Sequence, residues 1–423
     1  MKPFLLDQLV EFSKSLVQQE NKMLPLCAAE NIVSPFSKIP LDTFLQEKYI
    51  MGGTISYQDN NNFVGSKKLF QLYTLLNLQC KKLFGSQYSD ARTLSGVNAV
   101  TTLLMSLFSA GDTIFISSEE CGGHGSMPKI CHRLGIRTIE LPYDFENYDF
   151  DYEKANKILK HTEIRGILIC LSDMICMPKL YRFKIPDNCI LIFDATQLLG
   201  LIATKTIENP LEWFTDEQNF ILMGATHKTL PGPTCGLIMT NNMQLAQRFD
   251  TLINPDYLRN NQLHHIFSLI LSLMELEVYG EEYSQLIVNN ANILGFHLNK
   301  NKFNVLGFRD VYTYTHQIFI SMDILDAKPF VKKCTAYGIS LNLRNKSLYR
   351  PCGIRLGTQE ISRYGWGEKE MVYIAEIFKN IRDSHEHLPD IQSKVNHLSQ
   401  NKHIRFTFEK EYYDLLYNSL HNC

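Results

Sequence analysis

Residues 219–239 read NFILMGATHKTLPGPTCGLIM, an apolar run that ends in Thr226, His227 and Lys228 and continues into a Pro-Gly-Pro turn. A short, continuous apolar run bounded by turn residues is typical of a buried strand. Most of the 42 lysines and arginines must be solvated surface charges, because a charge removed from water is unstable. Lys228 instead follows the buried strand directly, so we expect it to have a chemical role.

Apolar runs of the same kind occur upstream and alternate with helical patterns. The predicted strands cover residues 112–118, 165–173, 189–197 and 219–228, and helical patterns cover residues 97–111 and 152–162. Continuous apolar strands that are separated by helices indicate a mostly parallel sheet with helices on both faces. The sequence therefore predicts a three-layer α/β/α domain, and in such domains ligands bind at the carboxyl ends of the strands.

The chain divides into three predicted regions, because its 423 residues are too many for one simple core. An N-terminal arm, residues 1–30, carries apolar residues at helical spacing, which predicts an amphipathic helix that docks on a partner surface. Residues 31–255 form the predicted large α/β domain. Residues 256–423 begin with a long helical pattern followed by shorter strands such as residues 315–323, which predicts a smaller C-terminal α+β domain.

Composition and charge exclude several classes of protein. With 45% hydrophobic and 20% charged residues, the chain has the composition of a globular protein. Its net charge of −2 gives no electrostatic reason to bind nucleic acid or an anionic membrane. There is no run of about 18 apolar residues to predict a transmembrane helix, and the first residues lack the features of a signal peptide.

The eleven cysteines are scattered along the chain, and none forms a CxxC pair. Most of them lie inside apolar runs, which is typical of buried, reduced thiols in a cytoplasmic protein. The sequence therefore predicts a cytoplasmic location, no disulfide framework and no metal site.

Polar residues end several of the predicted strands. Asp194 follows the apolar run of residues 189–193, Ser172 and Asp173 end the preceding strand, and Thr226 begins the polar end of the next one. A buried carboxylate needs a cation or several hydrogen-bond donors, and a helix N-cap or a structural ion pair would also satisfy Asp194. Because the ends of parallel strands meet at one edge of a sheet, we expect these residues to share a cleft.

Two turns add a phosphate-type site to this cleft. Ser95 and Gly96 lead straight into a helix, whose first N–H groups and dipole favour an anion, although an ordinary N-cap has the same pattern. The glycine-rich turn CGGHGS, residues 121–126, carries His124 with its aromatic ring. A lysine for a Schiff base, an aspartate for a pyridine nitrogen and a helix N-terminus for a phosphate together describe a pocket for pyridoxal 5′-phosphate.

Seven stretches of the chain, spread over about residues 20–380, resemble motifs of serine hydroxymethyltransferase, a family of fold-type-I enzymes that depend on pyridoxal phosphate. The stretches are LPLCAAENIVSP (24–35), EKYIMGG (47–53), LSGVNAV (94–100), GGHGS (122–126), FDATQLLGLIA (193–203), ATHKTLPGPTCGLIM (225–239) and CGIRLGTQEISRYGW (352–366). The segments around Lys228 and Arg355 carry the most specific matches. The resemblance implies that residues 31–255 form the cofactor-binding domain.

The resemblance also implies a role for individual residues. The expected cofactor contacts are Ser95, Gly96 and Val97 at the phosphate, His124 on the ring face, Ser172 near the ring oxygen, Asp194 at the pyridine nitrogen, and Gln197, Thr226, His227 and Lys228 nearby. Lys228, His124 and Tyr49 would be catalytic, and Arg355, Tyr49 and Ser172 would bind the amino-acid substrate. Tyr49 would reach the neighbouring subunit's site, so a homodimer with shared active sites is expected.

The chain departs from the family at positions on the folate side of the site. Where the family has a glutamate, a tyrosine, a histidine and an arginine, this chain has Met51, Phe63, Gln197 and Thr234. Its residues 255–265 replace a glycine-rich segment that contacts the phosphate of the partner subunit's cofactor. A methionine cannot move protons as a glutamate does, so these departures weaken the case for tetrahydrofolate.

Several reactions fit this combination of residues. Aldol, transaldol or hydroxymethyl-transfer chemistry at the bond between Cα and Cβ of an amino acid is the first expectation, and folate-dependent conversion of serine to glycine stays open. Aminotransferase, racemase or decarboxylase chemistry on the same scaffold is an alternative. A catalytically silent relative that only binds is another, but it would have no chemical need for Lys228, Asp194, His124 and Arg355.

Overall fold

The computed structural model describes residues 3–55, 63, 65–383 and 388–421 and divides into two compact units. The larger unit comprises residues 29–285 and 406–423, and the smaller unit comprises residues 1–28 and 286–405. The sequence-based division instead parts the chain after residues 30 and 255. One helix, Leu263–Lys300, runs without a break past residue 285, so no turn or loop marks this junction in the sequence.

Strands and helices alternate through most of the larger unit. The strands are β1 (Leu24–Pro25), β2 (Tyr88–Thr93), β3 (Thr113–Ile116), β4 (Arg137–Glu140), β5 (Tyr143–Asp144), β6 (Asp149–Phe150), β7 (Gly166–Cys170), β8 (Ile190–Asp194), β9 (Phe220–His227), β10 (Pro231–Thr240), β11 (Asn304–Leu306), β12 (Gln317–Ser321), β13 (Ile339–Ser340), β14 (Asn342–Asn345) and β15 (Cys352–Gly357). The α-helices are α1 (Leu6–Lys22), α2 (Pro35–Lys38), α3 (Gln71–Phe84), α4 (Gly96–Leu107), α5 (Met127–Arg133), α6 (Tyr152–His161), α7 (Leu199–Ala203), α8 (Met243–Thr251), α9 (Leu263–Lys300), α10 (Ile324–Ala336), α11 (Gln359–Arg363), α12 (Glu368–Asp383), α13 (Leu388–Ser399) and α14 (Lys410–His421).

A seven-stranded sheet in the order β2-β10-β9-β8-β7-β3-β4 forms the centre of the larger unit. The pairs from β9 to β4 are parallel, and β10 runs antiparallel to both β9 and β2. The four strands predicted from continuous apolar runs are β3, β7, β8 and β9, so the predicted mostly parallel α/β class is confirmed. The register pairs Cys170 with Asp194, which places the carboxyl ends of β7 and β8 side by side.

Apolar side chains of α4 fix this helix against the sheet. Val100, Leu103 and Leu104 are fully buried in one cluster with Ile192 of β8 and Ile221 of β9. Burial of each such side chain stabilises the fold by about 1.5–3 kcal/mol, so the first turn of α4 is held firmly against β9. The helix starts where the parallel strands end, which positions a helix N-terminus at the predicted ligand edge.

The smaller unit is built on a four-stranded antiparallel sheet in the order β11-β12-β15-β14. Its core includes Phe319 of β12 and Ile354 of β15, both fully buried. The N-terminal strand β1 pairs in parallel with β13, and Leu24 opposes Ile339. This pairing explains why residues near the N-terminus belong to the unit that otherwise starts at residue 286. Among the described helices, none is long and apolar enough to cross a membrane.

Candidate active site

A cavity of about 220 Å³ lies at the carboxyl ends of the parallel strands of the larger unit. It is lined by Ser95, Gly96, Val97, His124, Cys170, Leu171, Ser172, Asp194, Thr196, Gln197, Ala225, His227 and Lys228. Nine of these residues are ones that the sequence predicts as cofactor contacts. The expected shared cleft therefore exists, and it contains both the lysine and the aspartate of the predicted site.

Three donors surround the carboxylate of Asp194, which is only 8% exposed. The backbone N–H of Thr196 donates to Oδ1 over 2.9 Å, and the hydroxyl of Thr196 donates to the same oxygen. The thiol of Cys170 donates to Oδ2, with Sγ 2.9 Å away. These contacts compensate the carboxylate for its burial and fix its orientation at the end of β8.

Cys170 and Thr196 are site residues that the sequence analysis missed. Burial raises the pKa of the Cys170 thiol well above its usual value, and the charge and hydrogen bond of Asp194 raise it further. The group therefore stays a neutral donor. Thr196 Oγ1 also accepts a hydrogen bond from Ala225 N over 2.8 Å, which ties the end of β8 to β9. A signal for Thr196 was present, because an aspartate often binds the backbone two residues later.

The start of α4 forms the end of the cavity that suits an anion. The side chain of Ser95 accepts from Asn98 N over 3.2 Å, which is an ordinary N-cap contact. A Cβ atom on Gly96 would lie 3.0 Å from the Cβ of Ala225, so the glycine permits a close approach of the helix to β9. N–H groups in a first helical turn have no acceptor within the helix, and they therefore favour a phosphate.

The turn that carries His124 is attached to the end of β7. His124 N donates to Cys170 O over 2.9 Å, and Ser172 N donates to Gly122 O over 2.8 Å. His124 Nδ1 accepts from Ser126 N over 3.2 Å, so the contact assigns the ring proton of a neutral imidazole to Nε2. These contacts hold the imidazole in the cavity beside Ser172.

Lys228 directly follows β9, and its backbone is fixed by contacts on both sides. Its carbonyl accepts a hydrogen bond from the side-chain amide of Asn31. The next residue, Thr229, donates its hydroxyl to Gln197 O over 3.1 Å and accepts from Gly200 N over 3.2 Å. The loop after Asp194 and the loop after Lys228 are therefore joined.

His227 is neutral in this environment. Burial, and then the charge of Lys228, lowers the pKa of His227 to about 4. Its Nδ1 atom is buried and has no hydrogen-bond partner among the described residues. An unsatisfied ring nitrogen at the lining of a cavity indicates that a ligand belongs there.

Three predicted residues are not part of the cavity lining. Thr226 is fully buried on the other side of β9, where its hydroxyl donates to Pro233 O over 2.5 Å. Tyr49 is 38% exposed, and its ring centroid lies 4.6 Å from that of Phe63. Arg355 belongs to the smaller unit, where its Nε and Nη2 donate to Asn342 Oδ1 over 3.1 and 2.7 Å.

Comparison with known proteins gives the family of this chain. A family model described as serine hydroxymethyltransferase matches residues 6–378. The chain belongs to this family. Serine hydroxymethyltransferase of Metallosphaera sedula is 28% identical over 413 residues, which cover 93% of this chain and 92% of that protein. The enzyme of Thermoplasma volcanium is 29% identical over 421 residues, with 93% and 95% covered.

A solved structure shows the same fold over nearly the whole chain. L-threonine transaldolase from Pseudomonas fluorescens superposes with a TM-score of 0.91 and covers 98% of this chain and 97% of its own. The two sequences are 22% identical, so this likeness concerns the fold alone. Together with the family match it confirms the predicted fold-type-I class.

The cavity of this serine hydroxymethyltransferase relative suits pyridoxal 5′-phosphate, the cofactor predicted from the sequence. Lys228 offers an amine, Asp194 a carboxylate for a ring nitrogen, and the first turn of α4 an anion site, while His227 has an unsatisfied nitrogen. Family membership makes the chain an enzyme that depends on this cofactor. Among the described residues, no cluster of three or more potential metal ligands is present.

Proposed function

We propose that this enzyme makes or breaks the bond between Cα and Cβ of an amino acid by aldol, transaldol or hydroxymethyl-transfer chemistry. The observation that carries the proposal is one cavity that contains Lys228, Asp194 and the start of α4. The curated relatives are named for hydroxymethyl transfer, which is a reaction of this type. The shared family and the retained cofactor residues support the same class of reaction here.

Each residue of the cavity has a task in this proposal. Asp194 would hold a proton on the ring nitrogen of pyridoxal phosphate, and the N–H groups at Gly96 and Val97 would bind its phosphate. His124 would cover the ring face, and Lys228 would bind the cofactor through its amine. Bound in this way, the cofactor supplies an electron sink for a carbanion at the amino acid's α-carbon. Ser172, Gln197 and His227 would complete the polar contacts.

Arg355 would bind the α-carboxylate of the amino acid. It is 2% exposed, and Asn342 accepts two of its N–H groups at one oxygen. A guanidinium held by a neighbour loses less conformational freedom when it binds a carboxylate through two parallel hydrogen bonds. The amide of Asn342 therefore supports this role for Arg355.

The folate side of the site is weakened in this proposal. Met51 stands where the resembling family has a glutamate, and its sulfur accepts from Arg259 Nη1 over 3.6 Å. A thioether is a weak acceptor and carries no proton to exchange. Thr234, in place of an arginine, is exposed and adds no positive charge. We therefore expect activity without tetrahydrofolate.

We also propose a homodimer and a cytoplasmic location. Helix α1 buries none of its side chains, and exposed apolar residues such as Leu9, Phe12 and Leu16 recur along it. An apolar helix surface of this kind needs a partner, and a second copy would cover it and bring Tyr49 to the neighbouring site. The described cysteines form no disulfide, as suits a reducing compartment.

The experiment that tests the proposed function begins with the absorbance of the purified protein with added pyridoxal phosphate. We expect a visible band that is absent in Lys228→Ala. The enzyme is then incubated with threonine, serine or glycine, with and without tetrahydrofolate, and released or consumed aldehyde is measured. Aldehyde turnover without tetrahydrofolate supports the proposal.

Other products contradict it. A keto acid would indicate aminotransfer, a changed enantiomer ratio racemisation, and carbon dioxide decarboxylation. A strict requirement for tetrahydrofolate would show that the folate side is intact. Cofactor binding without turnover of any amino acid would leave a silent relative that only binds.

A further inference from the structure

The C-terminal segment Phe406–His421 returns to the larger unit after the chain has built the smaller one. Phe406 is 2% exposed, and its ring centroid lies 5.5 Å from that of Tyr283 on α9. The hydroxyl of Thr407 donates to Glu275 Oε1 over 2.5 Å, one and a half turns of α9 before Tyr283 is reached twice over. The segment lies beyond residue 378, where the family match ends.

Apolar packing anchors the rest of the segment. Phe36 and Leu271 form a buried cluster with Ile39, and the side chains that pack against it include Phe408, Tyr413, Leu416 and Leu420. Glu275 also accepts from the hydroxyl of Ser37 over 3.3 Å, so a single carboxylate joins the segment to α2. The segment is therefore part of the framework around α2 and α9 rather than an unattached tail.

Asn31 connects this framework to the candidate site. Its Nδ2 group donates one hydrogen bond to Tyr283 Oη over 2.9 Å and another to the carbonyl oxygen of Lys228. Its Oδ1 accepts from Ile32 N over 2.8 Å. Both donor hydrogens of the amide and an acceptor position are thus used, which fixes the side chain in one orientation. The phenol of Tyr283, which is fully buried, holds the amide on the side away from Lys228.

We propose that Asn31 is a positioning residue for Lys228, and that the C-terminal segment holds Asn31 in place through Tyr283. The proposal rests on Lys228 being the cofactor lysine, as proposed above. The carbonyl of Lys228 determines where the side chain leaves the backbone, and a small displacement there moves the amine at the end of four carbon atoms. A fixed backbone keeps the amine where it meets the cofactor and where it must return after each turnover.

The test compares full-length holoenzymes that lack single contacts of this series. Asn31→Ala removes both donors, Tyr283→Phe removes only the hydroxyl that anchors Asn31, and Thr407→Val removes the contact of the segment with Glu275. Asn209→Ala is the matched control, because the buried amide of Asn209 also donates to a carbonyl, that of Phe84, over 2.7 Å. Asn209 is not among the residues that line the cavity.

The readout is the rate at which visible absorbance appears when saturating pyridoxal phosphate is mixed with apoenzyme, measured beside the thermal midpoint of each apoenzyme. Asn31→Ala should slow this step about three- to tenfold, as expected for the loss of one hydrogen bond. Tyr283→Phe and Thr407→Val should slow it by smaller factors. Asn209→Ala should lower the thermal midpoint and leave the rate unchanged.

An unchanged rate in folded Asn31→Ala, or an equal slowing in Asn209→Ala, overturns the proposal, because either result assigns these contacts a purely structural role. Tyr283→Phe keeps the test decisive if Asn31→Ala does not fold, since it deletes a single oxygen atom. Wild-type protein without a visible band would instead refute the role of Lys228 itself. The two failures are therefore distinguishable.

Discussion

The thiol of Cys170 donates a hydrogen bond to the carboxylate of Asp194, with 2.9 Å between Sγ and Oδ2. The two residues face each other across β7 and β8, which are paired in parallel at this position. The thiol draws negative charge away from the oxygen that it contacts. It therefore makes Asp194 a weaker base towards the ring nitrogen of the cofactor, while the two donors of Thr196 keep the carboxylate in place.

Cys170→Ala should raise the pH at which the bound cofactor loses its ring proton by about one unit, since a hydrogen bond to a charged group is worth roughly 1.5–3 kcal/mol. Cys170→Ser keeps a donor and should stay near the wild-type value. The measurement is a pH titration of the cofactor's absorbance. Cys131→Ala, which alters a buried thiol outside the cavity lining, is the control, and an equal shift there would contradict the prediction.

Thr196→Val should weaken both folding and cofactor binding. It removes a donor to Asp194 and leaves the buried N–H of Ala225 without its acceptor, which costs about 1–3 kcal/mol in the free energy of unfolding. Thr226→Val is the matched control, because Thr226 is equally buried but donates to Pro233 O outside the lining. Denaturant unfolding should show losses in both variants, whereas titration with pyridoxal phosphate should show weaker binding only in Thr196→Val. Equal affinities would refute the role of Thr196.

Gly96→Ala should lower the affinity for the cofactor through its phosphate. The new Cβ would lie 3.0 Å from the Cβ of Ala225, so the start of α4 must move away from β9 at a cost of about 1–3 kcal/mol. Inorganic phosphate should then compete less well with the cofactor in a binding assay. Gly367→Ala is the control, because nothing lies within 4 Å of a Cβ at that position. Similar phosphate competition in both variants would contradict the prediction.

The strand-end pattern of the sequence was sufficient to predict the sheet and most of the cavity, but it misplaced Thr226. In β9, Ala225 and His227 line the cavity, and Thr226 between them points to the opposite face, as strand alternation requires. This error could have been avoided from the sequence, because the period of two is a local property. Lys228 escapes the alternation because it follows the strand.

Other contacts had no local signal. Cys170 meets Asp194 only because β7 and β8 pair in a particular register, and register is set by the packing of the whole sheet. Asn31 meets Lys228 across 197 residues of sequence. The return of Phe406 to Tyr283 is equally remote, since it depends on the route of the chain through the smaller unit.

Protonation of His227 should destabilise the apoenzyme in mild acid. Burial, and then the charge of Lys228, lowers the pKa of His227 from 6.5 to about 4 in the folded protein. The unfolded chain therefore binds the proton at higher pH than the folded one. Stability from the neutral imidazole is complete above pH 6.5 and is lost as the pH falls towards 4, by up to about 1.4 kcal/mol per pH unit.

His227→Gln should remove this part of the pH dependence, because glutamine does not titrate. The measurement is the free energy of unfolding in urea across that pH window, for wild type, His227→Gln and the exposed control His161→Gln. Wild type and His161→Gln should lose stability in parallel as the pH falls, and His227→Gln should lose less. Parallel curves for all three proteins would show that His227 is not the residue whose protonation opposes folding.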